Sequence, residues 1–245
     1  MRRYALPLAL AALALSASVA YARPVQLLQK NLIGDSSLVS YWNFNAGSSA
    51  DYKGANNGTD NHATYGTQYG MFGQGVTGTT AGNSSIAMSA SGFPTGSAAI
   101  TVAAWVNQPA AGFADVMKYG GTSGGPTNGW RDFDIQTDLY FQGYANDVDS
   151  GLTMPTGTWT FVAWVYSAGS GSMTFYVNSA STTKSLPSGA LNTVGGNGFI
   201  GAQDGNLILN MIKIDDLQVY SRALSDAEIR HLYTSRSVQE NGISR

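Results

Sequence analysis

Residues 212–233 constrain the fold of this chain more than any other stretch: Ile-Lys-Ile-Asp-Asp-Leu-Gln-Val-Tyr-Ser-Arg-Ala-Leu-Ser-Asp-Ala-Glu-Ile-Arg-His-Leu-Tyr. Residues 212–220 alternate and are rich in β-branched and aromatic side chains, the pattern of a strand in a packed sheet. Ser225 with Glu228 three positions on makes a capping box, which predicts a helix beginning at Asp226. A strand therefore runs through a turn into one short helix, read over 225–233. Beyond the leading residues, no other stretch of useful length has a helical period.

The rest reads as short strands between turns. Residues 38–44, 100–107, 159–166 and 173–178 are the clearest, and 84–88 and 139–143 are strand-like as well. The 100–107 and 159–166 runs are apolar on both faces, as strands in the middle of a sandwich are. Thirty glycines supply turns with positive φ. Strands with turn signals every ten residues or so predict an antiparallel β-sandwich or barrel.

The ends and the composition narrow the class. Arg2 and Arg3, an uncharged apolar run to Val19, and the small-x-small triplet Ala20-Tyr21-Ala22 form a secretory signal over residues 1–22, cleaved after Ala22. The apolar run is too short to span a bilayer. Residues 23–37 read as a leader, 38–236 as one folded domain, and 237–245 as a flexible tail. The chain has no cysteine, so neither a disulfide nor an acylated thiol belongs to it. Lys and Arg number 13 against 15 Asp and Glu, and two of the arginines lie in the signal. The mature surface is mildly acidic, which argues against nucleic acid as a partner. A released product, periplasmic or extracellular, follows.

Several motifs resemble the laminin G-like, concanavalin A-like jelly-roll domains of secreted bacterial proteins. They are the hydrophobic opening strand with Trp42, Asn61-His62-Ala63-Thr64, Met71-Phe72-Gly73-Gln74-Gly75-Val76, the Phe-Tyr-Val-Asn run ending at Asn178, Phe199-Ile200-Gly201, and the closing strand and helix. Ser179 stands where the family usually has Gly. The resemblance implies an antiparallel jelly-roll β-sandwich that binds glycans or proteins and performs no chemistry. It also implies a structural calcium near the first turn and the last strand. The matching positions are Asn45 and Asp215 or Asp216, with the loop acids Asp51 and Asp204 beside them. Alternation along the last strand turns either Asp215 or Asp216 towards the core, and the competing reading is that this carboxylate accepts bonds from loop N–H groups and caps the adjacent turn.

Catalysis on this fold usually needs a Glu-x-Asp-x-(x)-Glu strand. The chain has two Glu, Glu228 in the closing helix and Glu240 in the tail. Asp132 and Asp134, two apart on one strand face, are the remaining hydrolase candidates. Otherwise they are solvated on an outer face, or hold Arg131 and loop amides. For ligand binding, Trp130 and Arg131 follow the glycine-rich loop 120–129, with Tyr140, Tyr144 and Asn146 on and after the next strand. A stacking ring, a guanidinium and an amide suit a shallow sugar site; alternatively Trp130 and Tyr140 simply pack the sheet. The expected function is non-catalytic binding of carbohydrate or a surface glycoconjugate, in adhesion or polysaccharide capture. A protein-interaction module is the second reading, and a hydrolase using Asp132 and Asp134 the third.

Overall fold

The structure, a computed structural model, describes residues 32–79, 83–121, 129–203, 206–207 and 212–239. The expected signal segment, residues 23–31 of the expected leader, and Asp204 lie outside the described residues. In chain order the strands are β1 (Leu38–Trp42), β2 (Thr59–Asn61), β3 (Ala63–Gly66), β4 (Gly75–Gly78), β5 (Ser85–Met88) and β6 (Ile100–Asn107). There follow β7 (Ala114–Gly120), β8 (Trp130–Ile135), β9 (Asp138–Gln142), β10 (Val148–Thr153), β11 (Thr160–Tyr166) and β12 (Ser172–Val177). The last are β13 (Ala180–Ser185), β14 (Gly198–Ile200), β15 (Ala202–Gln203), β16 (Asn206–Leu207) and β17 (Lys213–Tyr220), before the helix α1 (Asp226–Gln239).

Two antiparallel sheets form the jelly roll. One has eight strands in the order β13-β12-β11-β6-β17-β4-β3, with β1 also on β17. The other has seven, in the order β10-β9-β8-β7-β14-β5-β2. The chain crosses from one sheet to the other at His62, between β2 and β3, whose φ of 53° turns the corner.

Strand alternation divides the apolar residues into two cores. Val102, Ala104 and Val106 of β6, with Val162 and Trp164 of β11, face Phe133 and Phe141 of the opposite sheet. Trp164 also spans the sandwich, its indole N–H donating to the Tyr140 carbonyl at 2.7 Å. The alternate residues Ala103, Trp105, Phe161, Ala163 and Val165 face outward, and Leu224, Ile229 and Leu232 around α1 cover them. Both faces of β6 and β11 are therefore buried, as their apolar runs predict.

The predicted cap is present. The Ser225 N–H donates to Glu228 Oε2 at 2.8 Å, and the Glu228 N–H reaches Ser225 Oγ at 3.4 Å. Arg222 ties Glu228 at 2.7 Å to Asp35 at 2.5 Å, fastening the helix start to the segment before β1. The helix runs on past Tyr233 to Gln239, and Tyr233 stacks on Trp105 with ring centroids 5.8 Å apart.

Strict alternation along β17 turns either Asp215 or Asp216 towards the core. The structure differs because the register against β6 slips between Asp215 and Gln218, and Asp216 has a φ of 49°. This bulge sends Ile214 and Leu217 into the inter-sheet core. Asp215 pairs with Trp105, and Asp216 and Gln218 line a small space with Trp105 and His231. Both carboxylates thus lie on the helix side.

Candidate functional site

The outer face of the seven-stranded sheet is polar where its counterpart is apolar. On β7 the register slips between Asp115 and Met117, so Val116, Met117 and Tyr119 all enter the core. Asp115 and Lys118 are left on the opposite face. Pairing then sets the neighbours on that face. Phe199, Lys118, Asp132 and Gln142 form one row across four strands. Asp115, Asp134, Tyr140 and Asp149 form the next. Trp130 stands opposite Gly120, with the Lys118 ammonium 4.4 Å above its ring, a cation–π contact.

An outer face would ordinarily be wet, yet Asp115, Asp132 and Asp134 are fully buried and Lys118 nearly so. The chain after β14 lies over them. The Gly201 N–H bonds the Val116 carbonyl at 3.1 Å. The Gln203 side chain donates to Asp132 Oδ2 at 2.8 Å and to Gln142 Oε1 at 3.3 Å. Gln142 in turn donates to Asp134 Oδ2 at 2.5 Å.

Burial governs the charges here. It pushes Asp115 up to about 7, opposed by the Gln203 backbone, Asp132 and Lys118. Burial, then the charges of Asp115 and Asp134, holds Asp132 well above the carboxylate range. Asp134 is raised likewise, by burial against its bond from Gln142. Lys118 is brought down to about 8 by burial, against the pull of Asp132 and Asp115. Neutral carboxyls are the form this environment favours.

Beside the cluster a cleft of about 480 Å³ opens, lined by Lys118, Gly120, Gly121, Gly195, Gly196, Asn197 and Phe199. Its volume lies within the roughly 300–1,000 Å³ of small-molecule sites. The space under α1, about 20 Å³, has no room for a sugar. The glycines do different work. A Cβ on Gly196 would meet the Gly120 carbonyl at 2.6 Å, so close backbone approach requires glycine there. A Cβ on Gly195 would meet nothing within 4 Å.

The structure divides the ligand residues expected from the sequence. Trp130 and Tyr140 share the outer face, and the Trp130 indole N–H is buried with no acceptor among the described residues. Arg131 does not join them. It points inward, fully buried, and donates to Thr193 Oγ1 at 2.6 Å and to the carbonyls of Gly96 and Ala98 at 3.1 and 2.9 Å. Nor does it hold Asp132 or Asp134, which lie on the opposite face. Tyr144 is exposed at the tip after β9, where Tyr144 and Ala145 both have positive φ. Asn146 is buried and holds that tip in place, bonding Ser188 N–H at 2.6 Å and the Gly189 carbonyl at 3.0 Å.

Of the expected calcium ligands, Asp51, Asp215 and Asn45 accept from backbone amides and Asp216 accepts from a hydroxyl. Asp51 accepts from the N–H groups of Tyr41, Lys53 and Asn56 at 2.9, 2.9 and 3.0 Å. Asp215 accepts from Met71, Phe72 and Asp216 at 2.9, 2.8 and 2.8 Å. Asn45 accepts from the Gln74 N–H at 2.8 Å, and Asp216 from the Tyr41 hydroxyl at 2.5 Å. Among the described residues no three acidic or histidine side chains are placed to hold an ion. The described members fit turn capping, not a calcium cage.

Sequence reasoning missed Asp115, Lys118, Gln142, Phe199 and Gln203. The bulge at Val116 hides the first two, since it puts residues three apart on one face. Gln203 becomes important only because a later segment folds over the sheet.

Comparison with known proteins agrees with this architecture. The pattern of the concanavalin A-like lectin/glucanases superfamily matches residues 80–230. No curated protein matches. Among solved structures, domain 4 of AbnA, a GH43 extracellular arabinanase from Geobacillus stearothermophilus in complex with arabinotriose, superposes with a TM-score of 0.63. It is 19% identical, over 80% of this chain and 98% of that one. The binding domain of Paraclostridial Mosquitocidal Protein 1 gives 0.64 at 15% identity, over 82% and 52%. The binding domain of Botulinum neurotoxin DC, in complex with rat synaptotagmin II, gives 0.58 at 13%, over 81% and 51%. The chain spans about half of each toxin structure. At these identities the likeness is one of fold.

Proposed function

The chain belongs to the concanavalin A-like lectin/glucanases superfamily, and from that premise we propose that it is a secreted, non-catalytic module that binds carbohydrate. One observation carries this reading: the glycine-walled cleft on the outer face of the seven-stranded sheet, with the Phe199 ring on its wall and Trp130 beside it. An aromatic face and a few polar groups in an open cleft suit a pyranose or furanose ring. Lys118 and Asn197 supply the polar contacts, and Tyr140 and Tyr144 extend the aromatic surface along the sheet. The arabinotriose in the arabinanase domain supports a sugar ligand on this fold.

A binding role also fits the acids. Asp132 and Asp134 lie side by side as the sequence suggests, but both are closed off from solvent and tied to glutamine amides. A hydrolase needs its carboxyls against the substrate. The apolar run before Ala22 supports export, with release to the periplasm or the medium.

Gly195 offers a clean test, because it lines the cleft and a Cβ there meets no other atom within 4 Å. Thermal unfolding is followed with a panel of soluble polysaccharides and arabino-oligosaccharides. A ligand of the folded state adds about 2.7 kcal/mol of stability at a hundredfold excess over Kd. One glycan class should raise the wild-type midpoint, and Gly195→Phe should abolish that rise while leaving the ligand-free midpoint unchanged. If no sugar shifts the wild type, the carbohydrate reading fails and a protein partner takes its place. If Gly195→Phe still responds, the cleft is not the site.

A further inference from the structure

We propose that Asp115, Asp132 and Asp134 form a pH-sensitive latch, which fastens the Gly201–Gln203 stretch to the seven-stranded sheet in mild acid and slackens as the surroundings turn alkaline. The geometry carries this. Three carboxyls are fully buried in two adjacent rows of one sheet face, and Lys118 is the cation set among them. Like charges at such spacing cannot all ionise at low cost, and a buried carboxylate gains far more from water than from one amide. The Gly201–Gln203 stretch is bonded to this face, by the Gln203 side chain on Asp132 and Gln142 and by Gly201 on Val116. Ionising the cluster and keeping it covered are therefore in opposition.

Among the described residues, each element around the cluster contributes a group. β7 brings Asp115 and Lys118, and β8 brings Asp132 and Asp134. Gln142 and Tyr140 come from β9, and Gln136 from the turn before it. Asp147 and Asp149 act from beyond β9, adding negative charge around Tyr140. Gln203 completes the set from above. The surrounding charge is thus mostly negative, which favours the protonated form.

The sign of the effect follows from where each state ionises. In the unfolded chain an aspartate ionises near 3.9. In the folded protein Asp115 ionises at about 7, and Asp132 and Asp134 are also raised. The unfolded state therefore binds fewer protons across this window, and stability falls as pH rises from about 4 through 7. Lys118 acts with the opposite dependence, but only above about 8. Asp215, raised to about 7 by burial and Asp216, lies on the other sheet and affects wild type and cluster variants alike. His231, lowered by burial, likewise contributes equally to both.

Asn mimics the protonated acid, so Asp115→Asn and Asp132→Asn are compared with wild type in the full chain. At pH 5 the variants should unfold at or slightly below the wild-type midpoint. At pH 8 they should exceed it by about 5 °C or more, since each kcal/mol moves a domain of this size by roughly 2–4 °C. Amide exchange at Ala202 and Gln203, corrected for intrinsic rates, should speed up in wild type between pH 5 and 8 but not in the variants. Variants no more stable than wild type at pH 8, or unaltered exchange in wild type, overturn the proposal. Should either variant fail to fold, local exchange in wild type decides: Ala202 and Gln203 exchanging no faster at pH 8 than at pH 5, after correction for intrinsic rates, overturns it too.

Discussion

The two sheets close their outer faces by opposite means. The eight-stranded sheet is covered by a helix and the turn before it, which bring Leu224, Ile229 and Leu232 into one cluster with Trp105, Phe161 and Val165. The seven-stranded sheet is covered by a short stretch that sets one glutamine amide on buried acids. Apolar closure depends on area removed from water and is nearly indifferent to pH. Polar closure depends on protonation and on each donor finding its acceptor. One cover rests mainly on apolar area and the other on protonation, and the cleft lies on the second side.

That contrast can be broken from either side. Trp105→Ala, which removes the ring under α1, should cost about 3–5 kcal/mol at any pH between 5 and 8. Denaturant unfolding at both pH values would show it. A loss that varies strongly with pH would mean the apolar cover depends on charge after all. On the polar side, Gln203→Ala removes the amide from Asp132 and should cost about 1–3 kcal/mol at pH 5. A loss as large as that of Trp105→Ala would place the two covers on the same footing. The smallest effect belongs to the partly exposed ion pairs at the start of the helix. Glu228→Gln should cost about 1 kcal/mol or less at pH 7, because solvent screens the pair. The carboxyl of Glu228 is held down to about 2, first by its bond from Arg222. A lowered carboxyl stabilises above its unfolded value and loses that contribution as pH falls through the folded one. The difference between wild type and Glu228→Gln should therefore vanish as pH drops from about 4 to 2, and urea midpoints across that range would check it.

The apolar half of this comparison was legible in the sequence, and the polar half was not. The two-sided runs of β6 and β11 announce central strands, and Ser225 with Glu228 announces the helix start at Asp226. Such signals are local and survive without knowledge of the partner. Asp115 and Lys118 lost their signal to one inserted residue, and Asp215 and Asp216 were assigned to opposite faces because a second bulge was invisible. Arg131 shows the remaining difficulty. Beside Trp130 it reads as a surface pair, yet alternation turns it inward, where carbonyls and the rings of Tyr119 and Tyr166 receive it. Asp215 reads in both ways, as an ion ligand and as a cap, and its three amide bonds favour the cap; Asp51 makes three such bonds as well.

The pairing of the first strand with the last has a mechanical consequence. Leu38 opens β1 directly opposite Tyr220, which ends β17, and the Ser221 N–H donates to the Ser37 carbonyl at 2.7 Å just outside that pair. The two ends of the sandwich thus emerge side by side. Tension applied through both would load one cross-strand bond at a time, peeling β1 from β17 like a zipper after the Arg222 clasp to Asp35 gives way. A tethered molecule pulled by its ends should yield at low force, β1 first, while the inner strands stay folded. A single high-force rupture would mean that the load bypasses this pair.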